Sequence, residues 1–289
     1  MERGRLHLER IVSGLSLRRV GRATVPGPNV RILDSVSSTN DSAWARLNDP
    51  EADGLVILAE HQSRGRGRLG RDWLSPRGAS ILASVLLLEP GTGAADGPGV
   101  RGAQLGLAAA VACCDAVARA TDVRIQIKWP NDLVYEGRKL GGILVESRTC
   151  GPEPTPAEAT APLATTAYVV GLGINCLQHR RHFPEELRDR ATSLDLIAGG
   201  PIDRCALSRA VLVELDRWYA DASACTGDVV RRAWLNRAAP LGQRVRLHHA
   251  GKVYTGHVID VDPTASLVVQ LDEGGRRLFD AASTTIAEE

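Results

Sequence analysis

Two apolar runs, GLVILAE (54–60) and SILASVLLL (80–88), flank a stretch that cannot belong to either of them. Each run has the length and composition of a buried strand. The stretch between them includes HQSRGRGRLGRDW (61–73), in which four arginines stand among three glycines ahead of a tryptophan. A connection this long inside a compact domain is usually functional or mobile. The sequence therefore predicts a cationic loop, here called the arginine loop (61–73), held between two strands.

The other patterns predict strands alternating with helices, and then a region of short strands alone. In SSTNDSAWARLNDP (37–50), read as a helix, Ser38 and Asp41 fit a capping box. Further strands are expected at 30–36, 123–129, 133–147 (a hairpin turning at Gly137) and 167–175, and further helices at 103–120, 207–222 and 229–237. From residue 240 the short strands indicate a small β-barrel of about 50 residues. CGPEPTPAEATAPLATT (150–166) is low in complexity, which is typical of a disordered excursion.

Composition excludes several classes of protein. The 289 residues are 44% apolar, enough for a sizeable core, and no apolar run is expected to reach the ~20 residues of a membrane span. The first twenty residues mix acids with arginines, unlike a signal peptide, so the predicted location is cytoplasmic. Six cysteines without a CxxC pair argue against a zinc site or disulfide framework. The net charge of +1 marks no nucleic-acid binder, and the arginines of the first 31 residues are interpreted as a solvated basic face.

Three known anion-binding motifs can be compared with the arginine loop. GRGRLG (65–70) matches G-x-G-x-x-G, but a strand follows it where a dinucleotide site needs a helix. A P-loop motif does not occur in the sequence. RNA-binding segments rich in Arg and Gly are usually longer and repeated. A small-molecule anion held by a loop that folds over it is the remaining interpretation. The loop is expected to be mobile without ligand, since nothing then neutralises its four like charges.

Lysine is rare, with only Lys128, Lys139 and Lys252 among 35 basic residues. A lysine retained against this bias indicates a place where a guanidinium does not serve. Lys128 begins KWPND (128–132), and Lys139 begins KLGGILVE (139–146).

These two segments, with SSTN (37–40), GRGRLGRDW (65–73) and GLGIN (171–175), form a set that resembles the biotin–protein ligases from about residue 30 to the C-terminus. The resemblance implies an α/β (α+β) fold: a mixed-sheet catalytic domain related to class II aminoacyl-tRNA synthetases, followed by a small SH3-like barrel. The expected domains are an N-terminal extension (1–30), a biotin- and ATP-binding catalytic domain (31–238) and a C-terminal domain (239–289).

The resemblance also implies a reaction. Biotin is joined to ATP as biotinyl-5′-adenylate, and the biotinyl group then passes to a lysine of a carboxylase carrier domain. Lys128, Arg66 and Arg68 are expected to be catalytic. The expected biotin-binding residues are Ser38, Thr39, Asn40, Gln62, Arg66, Gly67, Arg68, Lys128 and Gly142. The expected ATP-binding residues are Arg71, Trp73, Asn131 and Asn175, although NCLQ (175–178) departs from relatives that continue with a second asparagine.

Magnesium is implied by ATP and by no carboxylate cluster, so no metal-ligating residue is predicted. The carrier domain is the expected protein partner, and no nucleic-acid or membrane partner is expected. The protein is expected to be a monomer or a weak homodimer. A lipoate ligase is an alternative interpretation, but such ligases lack the GRGRxGRxW pattern found here. A ligase that is also a DNA-binding repressor carries a helix-turn-helix ahead of SSTN, and the 36 residues found there are too few. Three roles stay open for Asp132: it orients Lys128, caps a turn or deprotonates the acceptor lysine.

Overall fold

The protein is represented by a computed structural model that describes residues 5–22, 27–89, 98–150, 165–220, 227–239, 241–262 and 264–287. The expectation of disorder across 150–166 therefore falls almost wholly outside the described residues. Its first residue, Cys150, and its last two, Thr165 and Thr166, end and begin strands.

A mixed sheet of seven strands forms the larger part of the fold, in the order β1-β2-β3-β7-β6-β5-β4. Its strands are β1 (Val30–Leu33), β2 (Val56–Ala59), β3 (Ser80–Glu89), β4 (Gln126–Lys128), β5 (Asp132–Tyr135), β6 (Arg138–Cys150) and β7 (Thr165–Asn175). β1 and β2 are parallel, and the other pairs are antiparallel. The mixed sheet expected from the sequence is confirmed.

The central strands are buried on both faces, as their apolar runs require. Every residue of β2 is buried, and so are all but the last two of β3 and all but the first of β7. The hairpin between β5 and β6 turns at Glu136 and Gly137, which both have positive φ. β6 and β7 pair without interruption from Gly141–Ile174 to Cys150–Thr165.

Helices cover the two faces of this sheet. The short helix α2 (Thr39–Trp44) packs on β2, β3 and β7. Opposite it, α3 (Pro98–Thr121) packs on β6 and β7 and against α5 (Arg204–Tyr219), with Gly102 and Gly106 lying against Tyr168 and Val145 of the sheet. The remaining helices are α1 (Leu8–Val12), α4 (Leu194–Ala198) and α6 (Gly227–Leu235).

The helix α3 qualifies one expectation from the sequence. Residues 99–121 are long and apolar enough to cross a bilayer by length and composition alone, which the search for apolar runs did not anticipate. However, 67% of the apolar window is buried inside the fold, as in the core helix of a globular domain.

A second sheet is built from the C-terminal residues in the order β11-β10-β9-β8-β12. Its strands are β8 (Arg244–His249), β9 (Lys252–Val261), β10 (Leu267–Leu271), β11 (Arg276–Phe279) and β12 (Thr284–Ile286). It contacts the larger part of the fold closely: Trp129 Nε1 donates to the Ala265 carbonyl at 2.8 Å, and Arg231 pairs with Asp260.

The N-terminal segment is integrated into the larger part of the fold. Leu6, Ile11 and Val20 are buried in the main core. Arg19 is largely buried, with ion pairs to Asp53 at 2.7 Å and to Glu89 at 2.9 Å. The interpretation of these arginines as a solvated face is therefore wrong for Arg19, whose charge is neutralised inside the protein.

Candidate active site

A row of residues across the sheet brings the predicted motifs together. Strand pairing places Lys128 opposite Asp132, Asp132 opposite Gly142, and Gly142 opposite Gly173. KWPND and KLGG, which are close in the sequence, thus meet GLGIN (171–175) on neighbouring strands. The two glycines leave the middle of the row without side chains, and we call Gly142 and Gly173 the glycine floor.

Trp73, at the end of the arginine loop, lies on this floor. A Cβ added to Gly173 would stand 2.6 Å from Trp73 Cε2, and one added to Gly142 would stand 3.7 Å from Trp73 Cζ3. Glycine is therefore required at 173 for this placement of the indole. Trp73 Nε1 is buried and has no hydrogen-bond partner among the described residues.

Lys139 enters the same place from the other side of Gly142. Its Nζ lies 2.6 Å from Asp132 Oδ1, and its Cε lies 3.7 Å from the position of a Cβ on Gly142. The lysine side chain is 43% exposed, so it is accessible to a ligand. Lys139 is absent from the site residues predicted from the sequence, although lysine is rare in this chain and Lys139 begins the KLGG motif.

A buried hydrogen-bond network forms beside the floor. Gln62 Oε1 accepts from the Thr39 N–H at 2.7 Å and from the Thr39 hydroxyl at 2.9 Å. Ser84 Oγ bonds to Thr39 Oγ1 at 2.8 Å and to Asn40 Oδ1 at 2.6 Å. Asn40 packs on Gly171, where a Cβ would come within 2.4 Å of Asn40 Oδ1. Asn40 Nδ2 is left buried and without a partner among the described residues, so a donor remains for a ligand.

This network corrects the predicted capping box. Ser38 occupies the N-cap position of α2, but its side chain makes no capping hydrogen bond. The Gln62 amide oxygen takes the first helical N–H, that of Thr39. Ser38 is 3% exposed and Thr39 is 4% exposed, so both stand inside the protein at the start of the helix.

The arginine loop folds as a tight hairpin in the described structure. The Trp73 N–H donates to the Gly65 carbonyl at 2.9 Å, and the Gly67 N–H donates to the Arg71 carbonyl at 2.7 Å. A Cβ on Gly65 would stand 2.5 Å from the Trp73 carbonyl oxygen, so only glycine permits this approach. At the tip, Leu69 has φ of 55° and is 64% exposed.

Arg66 has acidic partners within the protein. It bonds to Asp41 Oδ1 at 2.7 Å and to Glu146 Oε1 at 3.1 Å. Burial acts to lower the pKa of Arg66, but the hydrogen bonds to Asp41 and Glu146 outweigh it and raise that pKa. The premise that nothing neutralises the loop arginines without ligand is therefore wrong for Arg66.

Arg68 connects the loop to two other parts of the molecule. One guanidinium nitrogen donates to Asn131 Oδ1 at 3.3 Å, and another donates to the Ala281 carbonyl of the second sheet region. Burial lowers the pKa of Arg68, Asp132 acts to raise it, and Arg71 lowers it further. Asn131 is itself held by its Nδ2, which donates to the Ile143 carbonyl at 2.6 Å.

Two predicted ATP contacts have different surroundings. Arg71 is exposed at the surface of the loop. Asn175 is buried, its Nδ2 donating to the Thr192 carbonyl at 3.0 Å and its Oδ1 accepting from Gln178 Nε2 at 3.0 Å. In this structure the Asn175 amide thus serves the fold, and Gln178 of the unusual NCLQ segment fixes its orientation.

An open cleft of about 760 Å³ lies on the outer side of the arginine loop. Its lining includes the loop residues Gln62, Arg64, Gly65 and Trp73, together with Arg181 and Arg188. Trp73 therefore borders both this cleft and the glycine floor. An aromatic face beside three arginines is a suitable environment for a nucleotide.

The structure adds four residues to which the sequence assigned no role in the site: Lys139, Ser84, Asp41 and Glu146. Among the described residues, no group of three or more His, Cys, Asp or Glu side chains could hold a metal ion. His248 and His249 lie on β8, where His249 Nδ1 is 2.8 Å from Thr284 Oγ1.

Comparison with known proteins gives related results by sequence and by structure. Residues 32–154 match the model of the biotin/lipoate A/B protein ligase family. The biotin--[acetyl-CoA-carboxylase] ligase of Mycobacterium tuberculosis is 33% identical over 273 residues, covering 90% of each chain. The bifunctional ligase/repressor BirA of Bacillus subtilis is 30% identical over 260 residues, covering 90% of this chain and 75% of that protein.

Among solved structures, the biotin protein ligase from Aquifex aeolicus in complex with biotin and ATP superposes with a TM-score of 0.67 at 25% identity. The match covers 90% of this chain and 99% of that one, so it includes both sheets of the fold.

Proposed function

Because the chain belongs to the biotin protein ligases, we propose that the site described above joins biotin to ATP and passes the biotinyl group to a carboxylase. The enzyme is an ATP-dependent ligase with an adenylate intermediate. One observation carries the assignment of the site: the arginine loop, KWPND and KLGG converge on Gly142, where an added Cβ would stand within 3.7 Å of Asp132, Lys139 and Trp73.

The first step brings two anions together. A biotin carboxylate oxygen attacks the α-phosphorus of ATP, the new P–O bond forms, and the bond to pyrophosphate breaks. Negative charge accumulates between the reacting groups, so preorganised cations lower the barrier. Lys128 is the proposed cation between carboxylate and α-phosphate, and Lys139 is a second candidate supported by its position at the glycine floor. Arg66 and Arg68 hold the loop over the reactants, with Gly67 between them.

The biotin ring is assigned to the buried network beside the floor. A neutral urea requires donors and acceptors at fixed angles and no charge. Ser38, Thr39, Asn40 and Gln62 supply such groups, and Ser84 orients Thr39 and Asn40. Gly142 allows the ligand to approach the backbone.

The nucleotide is assigned to the Trp73 side of the arginine loop. Trp73 offers its ring to adenine, and Arg71 lies on the loop surface within reach of a phosphate. Asn131 supports this side through its bond to Arg68. Asn175 can contact the nucleotide in two ways. Its amide gives up its hydrogen bond to Thr192 or Gln178, or it uses the second hydrogen of Nδ2 or the second lone pair of Oδ1.

In the second step the acceptor amine attacks the acyl carbon of the adenylate, AMP leaves, and the amine loses a proton. Asp132 is a candidate acceptor of that proton because it is a carboxylate opposite Lys128 and Gly142 at the glycine floor. Its ion pair with Lys139 also gives Asp132 a second role, in positioning that lysine.

Magnesium is proposed to arrive with ATP. The described residues offer no metal-binding cluster. Mg²⁺ commonly keeps several waters and binds through substrate phosphates, so a dedicated protein cage is not required.

The finer description of the fold is also proposed. The mixed sheet is assigned to the class II aminoacyl-tRNA synthetase type and the C-terminal sheet to an SH3-like barrel, with domains at 31–238 and 239–289 preceded by 1–30. The carrier domain of a biotin-dependent carboxylase is the proposed protein partner. A cytoplasmic location, a monomer or weak homodimer, and the absence of nucleic-acid and membrane partners stay predictions.

Transfer of labelled biotin to a carboxyl-carrier domain tests the function. Incorporation is expected only with ATP and magnesium, and only at the acceptor lysine. No incorporation with several carrier domains, while lipoate is incorporated, would show that the substrate assignment is wrong.

A further inference from the structure

We propose that residues 5–13, here called the N-terminal strap, hold the root of the arginine loop in place through Glu60 and Arg204. The strap is then a working part of the active site. This inference rests on the proposed function, because its effect on catalysis concerns the loop that closes over the adenylate.

Glu60 joins the strap to the entry of the loop. It follows β2 directly and precedes His61, the first residue of the arginine loop. Its Oε1 accepts from the Leu6 N–H at 2.6 Å, and its Oε2 accepts from Arg204 Nη1 at 2.8 Å. The side chains of Glu60 and Arg204 are 7% and 0% exposed. Solvent therefore screens this pair little.

Arg204 joins the same ion pair to the exit of the loop. Its Nε and Nη2 donate to the Ser80 carbonyl at 3.1 and 2.7 Å. The Gly78 N–H also donates to the Glu60 carbonyl at 2.8 Å. One buried ion pair thus fastens both ends of the connection that carries the arginine loop.

The strap is itself fixed to α5, where Arg204 is the first residue. The Cys205 thiol donates to the Arg5 carbonyl at 3.4 Å, and Arg10 pairs with Asp203 at 2.5 Å. Arg209 donates to the Ser13 carbonyl at 2.7 Å. Ile11 is fully buried, so side-chain packing adds to these bonds.

Removing a donor from a buried carboxylate leaves an oxygen uncompensated, which is costly because no water replaces the lost bond. Water entry or movement of Glu60 relieves that cost, and either displaces the loop root. The root adds a buried attachment to those that the loop makes through Gln62, Arg68 and Trp73, whereas the ion pair from Arg66 to Asp41 is 39% and 44% exposed. Glu60 and Arg204 are therefore positioning residues, and they act through the loop.

A matched pair of variants tests the proposal. Asp216 is a second buried carboxylate that holds the N-terminal segment: it accepts from the backbone N–H groups of Arg18, Arg19 and Val20 at 3.0, 2.7 and 3.0 Å. It lies on α5 and has no bond to the loop root in the described structure. Glu60→Gln and Asp216→Asn each neutralise one carboxylate that holds this segment.

Both variants are expected to melt at lower temperature. Only Glu60→Gln is expected to speed hydrogen exchange at 61–73 in the ligand-free protein, and to release the adenylate on the order of tenfold faster, because a misplaced loop no longer sequesters it. Equal effects of the two variants on exchange at 61–73 would overturn the proposal. The exchange measurement uses no substrate, so it decides the strap's role even if the proposed function fails.

If Glu60→Gln does not fold, Leu6→Pro and Leu6→Ala replace it. Proline removes the N–H donated to Glu60, whereas alanine keeps that N–H and loses more of the buried side chain. Faster loop exchange in Leu6→Pro than in Leu6→Ala supports the strap. The reverse order shows that Leu6 acts by packing alone and contradicts it.

Discussion

Lys139 Nζ lies 2.6 Å from Asp132 Oδ1, on the neighbouring strand and next to Gly142. Strand pairing places Lys128 opposite the same aspartate. Two of the three lysines in the chain thus surround one carboxylate beside the glycine floor. The scarcity of lysine in this sequence acquires a structural explanation at these two positions.

The two lysines are expected to be needed for adenylation. Lys128→Ala should lower biotin-dependent exchange of label between pyrophosphate and ATP by roughly 10²- to 10³-fold, or about 3 to 4 kcal/mol, as for one preorganised donor. A comparable loss is expected for Lys139→Ala, with circular dichroism near wild type. Lys252→Ala on β9 is the matched control and should retain activity. Lys128→Arg keeps the charge but not the compact shape, so full activity in that variant would contradict the geometric argument.

Arg68→Gly is expected to give a folded protein that releases its adenylate. The change removes the contacts of the loop with Asn131 and with the Ala281 carbonyl, so the loop loses its attachment to the second sheet. Biotinylation of lysines on a bystander protein such as albumin should increase. Arg77→Gly, an exposed arginine of the same connection, serves as the control. Unchanged retention of the adenylate by Arg68→Gly would show that the loop closes without this residue.

Gly173→Ala is expected to displace Trp73, because the new Cβ would stand 2.6 Å from the indole. Overpacking of this kind typically costs about 1 to 3 kcal/mol. The expected signs are a raised KM for ATP and faster hydrogen exchange at 73. Gly106→Ala on α3 is the control, since its Cβ would meet Val145 at 3.4 Å on the other face of the sheet. Similar kinetics for both variants would mean that the indole does not need the glycine floor.

The arginine loop is expected to gain protection from hydrogen exchange when biotin or its adenylate binds. Some protection should exist beforehand, because Arg66 is paired with Asp41 and Glu146 in the described structure. The double variant Asp41→Asn/Glu146→Gln should lower protection of the free loop but not of the liganded loop. Equal protection with and without ligand in the wild type would exclude ordering by the ligand.

Because two thiols are buried, we expect the folded protein to lose stability at alkaline pH. Burial raises the pKa of Cys113 and of Cys176 to about 12, above the ordinary thiol value of 9.0. The folded state thus favours the protonated thiol, so its stabilising effect is full below pH 9 and declines as the pH approaches 12. The slope should be on the order of 1 kcal/mol per pH unit for each thiol. The free energy of unfolding of Cys113→Ala and of the wild type, measured in urea at pH 8 and pH 10.5, tests this. If both proteins lose the same stability between these two pH values, the raised pKa of Cys113 is contradicted.

The order of elements was predictable because apolar runs and turn residues are local signals. The strands at 54–60 and 80–88 and the helix at 103–120 follow from apolar patterns, and the hairpin follows from the turn residue Gly137. The helix itself begins earlier than predicted, at Pro98. The position of the arginine loop between β2 and β3 was predicted for the same reason. The motifs of the resemblance also indicated the segments that meet at the glycine floor, and the roles assigned to their residues stay predictions.

Pairings in space could not be predicted in this way. Ser84 lies inside an apolar strand with no motif, and only its contacts with Thr39 and Asn40 give it a role. The Glu60–Arg204 pair joins residues separated by 144 positions. The capping-box prediction was wrong because the Ser38 side chain makes no capping hydrogen bond, while a distant amide, Gln62, takes another N–H of the first turn, that of Thr39. Local patterns predict which groups need partners, but the fold determines which partner is nearest.

The uninterrupted pairing of β6 with β7 also sets the far ends of these two strands at a distance from the glycine floor. The pairing runs from Gly142–Gly173 at the site to Cys150–Thr165 at the far end, a span of about 27 Å at roughly 3.4 Å per residue. A fluorophore attached at Cys150 or Thr165, where the two described strands end and begin, is therefore expected to report on the enzyme without perturbing the glycine floor.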